Sequence, residues 1–145
     1  MKILNVYYIH NLVVSVGLLD LQVPCGMAGS DTIRWVKVAE SRAELFDREG
    51  ELKDVEAEGK DMCLAWVKGV IRACAYQCPH AGARMSDGYV DAQGHIVCPL
   101  HRYRFSLENG RNVSGEGYFL KTFPVEERAD GIYVGLPEKK GLFGV

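Results

Sequence analysis

Short turn dipeptides that contain glycine divide the second half of this chain into brief apolar runs. The chain has 16 glycines, and several follow a polar residue between such runs: Lys68-Gly69, Asp87-Gly88, Gln93-Gly94, Asn109-Gly110 and Asp130-Gly131. Glycine suits the positive φ angles of tight turns, and such pairs are typical of two-residue hairpin loops. Runs this short, rich in β-branched and aromatic residues, indicate strands. The pattern therefore predicts an all-β chain of many short antiparallel strands.

The clearest hairpin is centred on Lys68-Gly69. Two β-prone runs, residues 62–67 and 70–76, flank this pair, so the register of the ladder follows from the turn. Cys63 then faces Cys74 as a hydrogen-bonded pair, with Cα atoms about 5.5 Å apart and diverging side chains. We expect two free, packed thiols rather than a disulfide.

Three further signals lie along the domain. Residues 32–38 alternate apolar and polar side chains, as in a half-buried strand. Ser41 and Glu44 form a capping-box signature that predicts a short helical turn to about Asp47. Pro124 cannot donate to a ladder, so its strand must lie on an edge or break there.

Charge and length bound the possible functions. The chain has 145 residues and a net charge of -2, without a run of Lys or Arg, which argues for a single domain and against nucleic-acid binding. Residues 40–61 carry nine acidic and four basic side chains, which we interpret as a solvated connecting face or an acidic docking surface.

Residues 1–30 differ in composition from residues 31–145, which we take as the functional domain. The apolar residues before Ser30 are interrupted by polar ones, so we predict no membrane span. Three interpretations remain open: a non-essential extension with Met27 as the true start, a signal peptide, or an additional strand or helix.

Two segments that each pair a cysteine with a histidine carry the chemical signal. Cys78-Pro79-His80 and Cys98-Pro99-Leu100-His101 are separated by 17 residues. A thiolate and an imidazole at close spacing, each time with proline after the cysteine, indicate two similar ligand loops around one metal site. Zinc is one candidate, although zinc fingers usually provide a close Cys pair and a close His pair. The mixed pattern favours two metals, as in a two-iron cluster where one iron takes both cysteines and the other both histidines.

With these two motifs the chain resembles the Rieske family, and specifically its small ferredoxins, from about residue 33 to residue 136. The resemblance implies a Rieske-like antiparallel β sandwich with a cluster-binding subdomain of two ligand loops. It also implies a [2Fe-2S] cluster as cofactor, held by Cys78, His80, Cys98 and His101. A third loop near residues 114–117 is expected to shield the cluster.

Departures from the family pattern narrow the class. High-potential Rieske proteins carry a disulfide between their ligand loops, where this chain has Ala83 and Leu100. They also place serine and tyrosine hydroxyls near the cluster, at positions that align with Tyr103 and Phe105, so we expect fewer hydrogen bonds to sulfur and a potential of about -150 mV. Arg102 stands where the family usually has glycine, which raises the question of the local backbone geometry.

The function implied is one-electron transfer by a carrier that is not itself an enzyme. The resemblance implies a reductase and an oxygenase, or another acceptor, as redox partners in the cytoplasm. The arginines Arg102, Arg104 and Arg111 are either solvated loop residues or a positive rim that steers an acidic partner. The alternatives are a small Rieske subunit of a larger oxidoreductase, such as a nitrite-reductase-like complex, and a zinc-stabilised binding module.

Overall fold

The computed structural model describes residues 32–138, so the interpretations of residues 1–30 lie outside the described residues. Strands account for most of the regular structure in this range. The strands are β1 (Ile33–Ala39), β2 (Leu52–Ala57), β3 (Lys60–Val67), β4 (Val70–Ala75), β5 (Tyr89–Val90), β6 (His95–Val97), β7 (Arg104–Ser106), β8 (Thr122–Phe123), β9 (Val125–Arg128) and β10 (Gly131–Pro137). One short helix, α1 (Arg42–Leu45), and a 3-10 turn at Met85–Asp87 complete the elements found there. Neither of these helical elements is long and apolar enough to cross a membrane.

Two antiparallel sheets pack face to face around a first core. Their strand orders are β1-β10-β9 and β2-β3-β4-β8. Buried side chains from both sheets meet in this core, among them Leu64, Phe123, Ile132 and Val134. A third antiparallel sheet, β5-β6-β7, belongs to a smaller subdomain. The predicted all-β sandwich with an added subdomain is confirmed.

Strand β3 is buried on both of its faces. Met62 and Leu64 point into the first core, whereas Cys63 and Ala65 belong to a second core, shared with the smaller subdomain. Because successive side chains of a strand point to opposite faces, a strand between two cores is apolar at every position. This explains the unbroken apolar run at residues 62–67.

The hairpin at Lys68-Gly69 forms as predicted. Both turn residues have positive φ, 50° for Lys68 and 77° for Gly69, and Val67 pairs with Val70. Cys63 faces Cys74, and both thiols are buried and free. The pKa of the Cys74 thiol is raised well above its ordinary value by its contact with Cys63 and by burial.

The acidic segment is more structured than its composition suggests. Strand β2 pairs with β3 from Leu52 opposite Ala65 to Ala57 opposite Lys60. A second tight turn at residues 58–59, again with two positive φ angles, joins them. Residues 52–57 thus form a strand of the sandwich: Val55 and Ala57 pack against the first core, whereas Lys53 and Glu56 are exposed.

Two of the glycine dipeptides act differently from the prediction. Gly88 has φ of -87°, and a Cβ there would lie 2.0 Å from the carbonyl oxygen of Val97, so close approach rather than positive φ requires glycine. Gly131 pairs with Arg128, so the last hairpin turns one residue earlier than expected.

Two local predictions hold. Pro124 separates β8 from β9, and the chain passes there from the edge of one sheet to the edge of the other. Ser41 caps α1 by accepting a hydrogen bond from the NH of Glu44 at 3.3 Å. The helix ends at Leu45, slightly before the predicted end.

Candidate metal centre

The two Cys/His segments fold into matching loops, which we call loop 1 (residues 78–83) and loop 2 (residues 98–103). In loop 1 the NH of Gly82 donates to the carbonyl of Cys78 at 2.9 Å, and the NH of Cys78 donates to the carbonyl of the last loop residue at 2.8 Å. In loop 2 the NH of Arg102 donates to the carbonyl of Cys98 at 3.1 Å, and the NH of Cys98 donates to the carbonyl of Tyr103 at 2.9 Å. Because the two loops have the same pattern of backbone hydrogen bonds, the two cysteines hold equivalent positions in them.

Loop 1 is tied to the four-stranded sheet by a polar network. Arg84, directly after the loop, donates from Nε to the carboxylate of Asp54 on β2 at 2.7 Å and to the hydroxyl of Ser86 at 2.8 Å. The Ser86 hydroxyl donates to the same Asp54 oxygen at 2.9 Å. Because Asp54 accepts from both residues, it fixes the exit of loop 1 against β2.

The two loop cysteines form a buried thiol end of the site. Cys78 is 3% exposed and Cys98 1% exposed, and both belong to the second core. Burial and the neighbouring Cys98 thiol raise the pKa of Cys78, while backbone NH groups of the loop oppose the shift. The raised pKa keeps the Cys78 thiol protonated in the absence of a metal, and binding of a metal there would release that proton.

The two loop histidines form the outer end. The Nδ1 atoms of His80 and His101 lie 3.1 Å apart, and the ring centroids are 4.6 Å apart. His80 is half-buried, whereas His101 is exposed. The structure thus arranges the four predicted ligands on the two loops as two pairs, a thiol pair and an imidazole pair. Within residues 32–138, no group of three or more Cys, His, Asp or Glu side chains surrounds one ion-sized position.

Two tyrosines cover His80. The ring of Tyr103 lies 4.9 Å from the His80 ring and that of Tyr118 lies 4.8 Å from it, and the two phenol rings stack on each other at 5.9 Å. Tyr118 belongs to loop 3 (residues 112–119), in which the Ser114 hydroxyl accepts a hydrogen bond from the NH of Arg104 at 2.8 Å. The expectation for residues 114–117 misses Tyr118, which is the residue that reaches the site. An aromatic side chain directly after a glycine-rich stretch is the signal that could have indicated it.

Two residues singled out by the departures from the family pattern, Phe105 and Tyr103, lie in or beside loop 2. Phe105 is fully buried in the second core and offers no hydroxyl. Burial, together with Glu116, raises the pKa of Tyr103, so its phenol stays neutral near pH 7.

Arg102 has φ of 61°, so the backbone keeps a glycine-like conformation although a side chain is present.

A further histidine and two further cysteines lie outside this constellation. His95 on β6 contacts Asp91 at 3.3 Å rather than the loop histidines. Cys63 and Cys74 share the second core with the loop cysteines but belong to strands. The structure therefore separates one cysteine pair on loops from one on strands.

The family model for the Rieske [2Fe-2S] domain matches residues 34–124. The chain belongs to the Rieske [2Fe-2S] domain family. This family binds a [2Fe-2S] cluster, and the donor set fits one, because Rieske clusters take two cysteines on one iron and two histidines on the other.

Rieske ferredoxins are among the similar proteins. The ferredoxin component of a naphthalene 1,2-dioxygenase system from Pseudomonas putida is 36% identical over 96 residues, which cover 66% of this chain and 88% of that protein. The ferredoxin component of a Xanthobacter autotrophicus alkene monooxygenase system is 26% identical over 108 residues, covering 74% and 86%.

A solved structure shows the same fold. A chain from the complex of reduced oxygenase and oxidised ferredoxin of carbazole 1,9a-dioxygenase is 26% identical and superposes with a TM-score of 0.62, covering 74% of this chain and 97% of that chain. The Rieske domain of this chain is thus nearly as long as a whole ferredoxin component.

Proposed function

We propose that this chain is an electron carrier that holds a [2Fe-2S] cluster, with Cys78 and Cys98 on one iron and His80 and His101 on the other. When bound, the cluster accepts and releases one electron. The observation that carries the proposal is the pairing of two buried, adjoining thiols with two facing imidazoles on loops of matching backbone geometry.

The protein contributes different surroundings at the two ends of the site. The second core excludes water from the thiol end, where Cys78 and Cys98 are almost fully buried. At the other end His101 is exposed, which leaves a short path between the site and a docked protein. Two neutral imidazoles in place of two thiolates make the ligand set less negative, which favours uptake of an electron.

The partners proposed are a reductase that supplies the electron and an oxygenase that consumes it. The similar proteins from Pseudomonas and Xanthobacter are ferredoxin components of a dioxygenase and a monooxygenase system. The carbazole dioxygenase ferredoxin occurs in a complex with its oxygenase. We also propose a cytoplasmic location, where a reducing environment keeps the loop thiols of Cys78 and Cys98 available as ligands.

A role as the small subunit of a nitrite-reductase-like enzyme is the alternative. A Mycobacterium tuberculosis structure described as the small subunit of an NADH-dependent nitrite reductase has a TM-score of 0.66, with 22% identity and coverage of 75% of this chain and all of that one. This likeness shows the fold alone. A carrier purifies by itself as a stable monomer, whereas a subunit requires its large partner for stability.

The four cysteines of the described chain allow a matched test of the ligand assignment. The full chain is purified anaerobically, and iron, zinc and acid-labile sulfide are measured together with the visible spectrum before and after dithionite. We expect about two irons and two sulfides per chain and reversible bleaching. Cys78→Ala and Cys98→Ala should each lose most of the iron and the visible absorption.

The control variants are Cys63→Ala and Cys74→Ala, which remove buried thiols from the same core. They should keep about two irons per folded chain and bleach as the parent does. Equal loss of iron in both pairs of variants would contradict the ligand assignment. One zinc per chain without sulfide would overturn the proposed function and favour a structural metal domain.

A further inference from the structure

Three arginines in or near loop 2 have no ion-pair partner within residues 32–138. The chain has nine arginines, and six of them form ion pairs with carboxylates: Arg34, Arg42, Arg48, Arg72, Arg84 and Arg128. Arg102, Arg104 and Arg111 have no carboxylate within ion-pair distance among residues 32–138, and all three are exposed. The arginines of the described range that have no ion pair are therefore those in or near loop 2 in the sequence.

The arginines at 104 and 111 lie on the same face of a two-stranded ribbon. Phe105 bridges to Asn112 across this ribbon, and the NH of Val113 donates to the carbonyl of Arg104 at 2.8 Å. Because Phe105 is buried, the alternate positions on both strands face solvent. Arg104 and Arg111 thus share one exposed face of this ribbon, whose first strand begins two residues after Arg102.

The backbone at Arg102 is strained in a way that glycine would relieve. Arg102 and Gly82 hold equivalent positions in the two loops, with φ of 61° and 70°. Residues with a Cβ adopt this conformation less readily than glycine does, and in this chain Glu58 and Lys68 adopt it in hairpin turns. The chain keeps a large cation beside His101 at a position where glycine is the favourable residue.

The two imidazoles differ in access from outside. Tyr103 and Tyr118 cover His80, whereas His101 is exposed beside Leu100, which is 57% exposed. A partner therefore reaches the site most directly over loop 2.

We propose that the redox partner docks over His101 with an acidic protein face, against a surface that we call the arginine face (Leu100, Arg102, Arg104 and Arg111), and that Arg102 sets this preference. The inference rests on the proposed function. Charge complementarity supports an acidic partner, because the arginine face is unpaired whereas residues 40–61 carry nine acidic against four basic side chains and would repel such a partner. Burial and the charge of Glu116 in loop 3 raise the pKa of Tyr103. Within the described chain, Glu116 forms no ion pair with these arginines.

Two small probes of opposite charge test the arginine face without a protein partner. Ferricyanide, a trivalent anion, oxidises the dithionite-reduced protein by taking one electron to become ferrocyanide; tris(phenanthroline)cobalt(III), a trivalent cation, takes one electron to become the cobalt(II) complex. Both reactions are followed by stopped flow at low ionic strength and at 0.5 M salt. The variant carries Arg102→Gln, Arg104→Gln and Arg111→Gln, and the matched control carries Arg34→Gln, Arg48→Gln and Arg72→Gln.

We expect the variant to react with ferricyanide about tenfold or more slowly than the parent at low ionic strength, since three charges near the contact point are lost. Its reaction with the cobalt complex should become faster. Both differences should shrink to about twofold or less at 0.5 M salt. The control should change each rate about twofold or less, and Arg102→Gln alone should account for the largest share of the effect.

A redox-inert anion provides a readout that does not depend on electron transfer. Hexacyanochromate(III) is added to the oxidised protein, and the broadening of the Leu100 and Val113 methyl signals in NMR spectra is measured. Selective broadening of these signals, absent in the arginine variant and with the tris(ethylenediamine)chromium(III) cation, is expected. Equal broadening in variant and parent, or equal rate changes in variant and control, would overturn the docking inference. A parent protein that does not bleach with dithionite would instead overturn the proposed function.

Discussion

Gly82 and Arg102 hold the same place in the two ligand loops. Each donates its NH to the carbonyl of the cysteine four residues earlier, at 2.9 and 3.1 Å, and each has a positive φ, 70° and 61°. Loop 1 has glycine, the residue suited to this conformation, whereas loop 2 has arginine. The pair therefore gives an internal measure of what the arginine side chain costs the fold.

Replacing Arg102 with glycine should stabilise the folded protein. Relief of the left-handed strain is worth about 1 kcal/mol, partly offset by the greater freedom of glycine in the unfolded chain. Thermal unfolding followed by circular dichroism should show a higher midpoint for Arg102→Gly. The reverse change, Gly82→Arg, should lower the midpoint by a similar amount; a stabilised Gly82→Arg variant would contradict the equivalence of the two loops.

The Asp54 network should control how firmly loop 1 is held. Asp54→Asn removes the charge that accepts from Arg84 and Ser86, at a cost of about 1 kcal/mol because the network is partly exposed to solvent. We expect faster loss of iron to a chelator from this variant. Asp61→Asn, at an exposed position of β3, is the control and should release iron at the parent rate.

Stability on the acid side should depend on Glu51. Its carboxylate accepts a hydrogen bond from the NH of Asp47 at 2.8 Å, which with the nearby Arg48 lowers the pKa of Glu51 below its ordinary value of 4.5. A lowered carboxyl pKa stabilises the fold above the ordinary value, and this contribution is lost as the pH falls through the lowered one. The unfolding midpoint should thus decline less steeply below pH 4.5 in Glu51→Gln than in the parent; parallel declines would exclude this role.

The reduction potential should lie near the low end of the Rieske range, about -150 mV. Phe105 is buried in the second core and gives no hydroxyl to the site. Phe105→Tyr adds a hydroxyl and should raise the midpoint measured by redox titration, because hydrogen bonds to sulfur favour the reduced state. Phe123→Tyr, in the first core, is the control. A strongly positive midpoint for the parent would contradict the argument.

The facing thiols on β3 and β4 should remain reduced. Cys63 and Cys74 form a hydrogen-bonded cross-strand pair, whose side chains diverge. Alkylation of the denatured, unreduced protein followed by mass spectrometry should find both thiols modified. Protection of both would indicate a disulfide.

The fold class and the candidate ligands follow from local patterns in the sequence, and the structure confirms the fold class. Cys78, His80, Cys98 and His101 are recognisable because metal chemistry needs particular side chains at short, local spacings, and the Lys68-Gly69 turn fixes its own register through local backbone geometry. Strand β2 was not predicted, because Lys53, Asp54 and Glu56 make the segment charged, whereas its pairing with β3 depends on contacts between strands. The composition of one segment does not show which strand it pairs with.

The difference between the two ends of the site arises from tertiary packing. Loop 3 brings Tyr118 over His80, whereas His101 stays exposed. Within the described range, Arg102, Arg104 and Arg111 are the arginines without a carboxylate at ion-pair distance. Both features result from the packing of loop 3 and the third sheet on the ligand loops. Asp54 likewise reaches Arg84 across 30 residues of sequence. Contacts between distant segments depend on packing, and no local pattern in the chain specifies them.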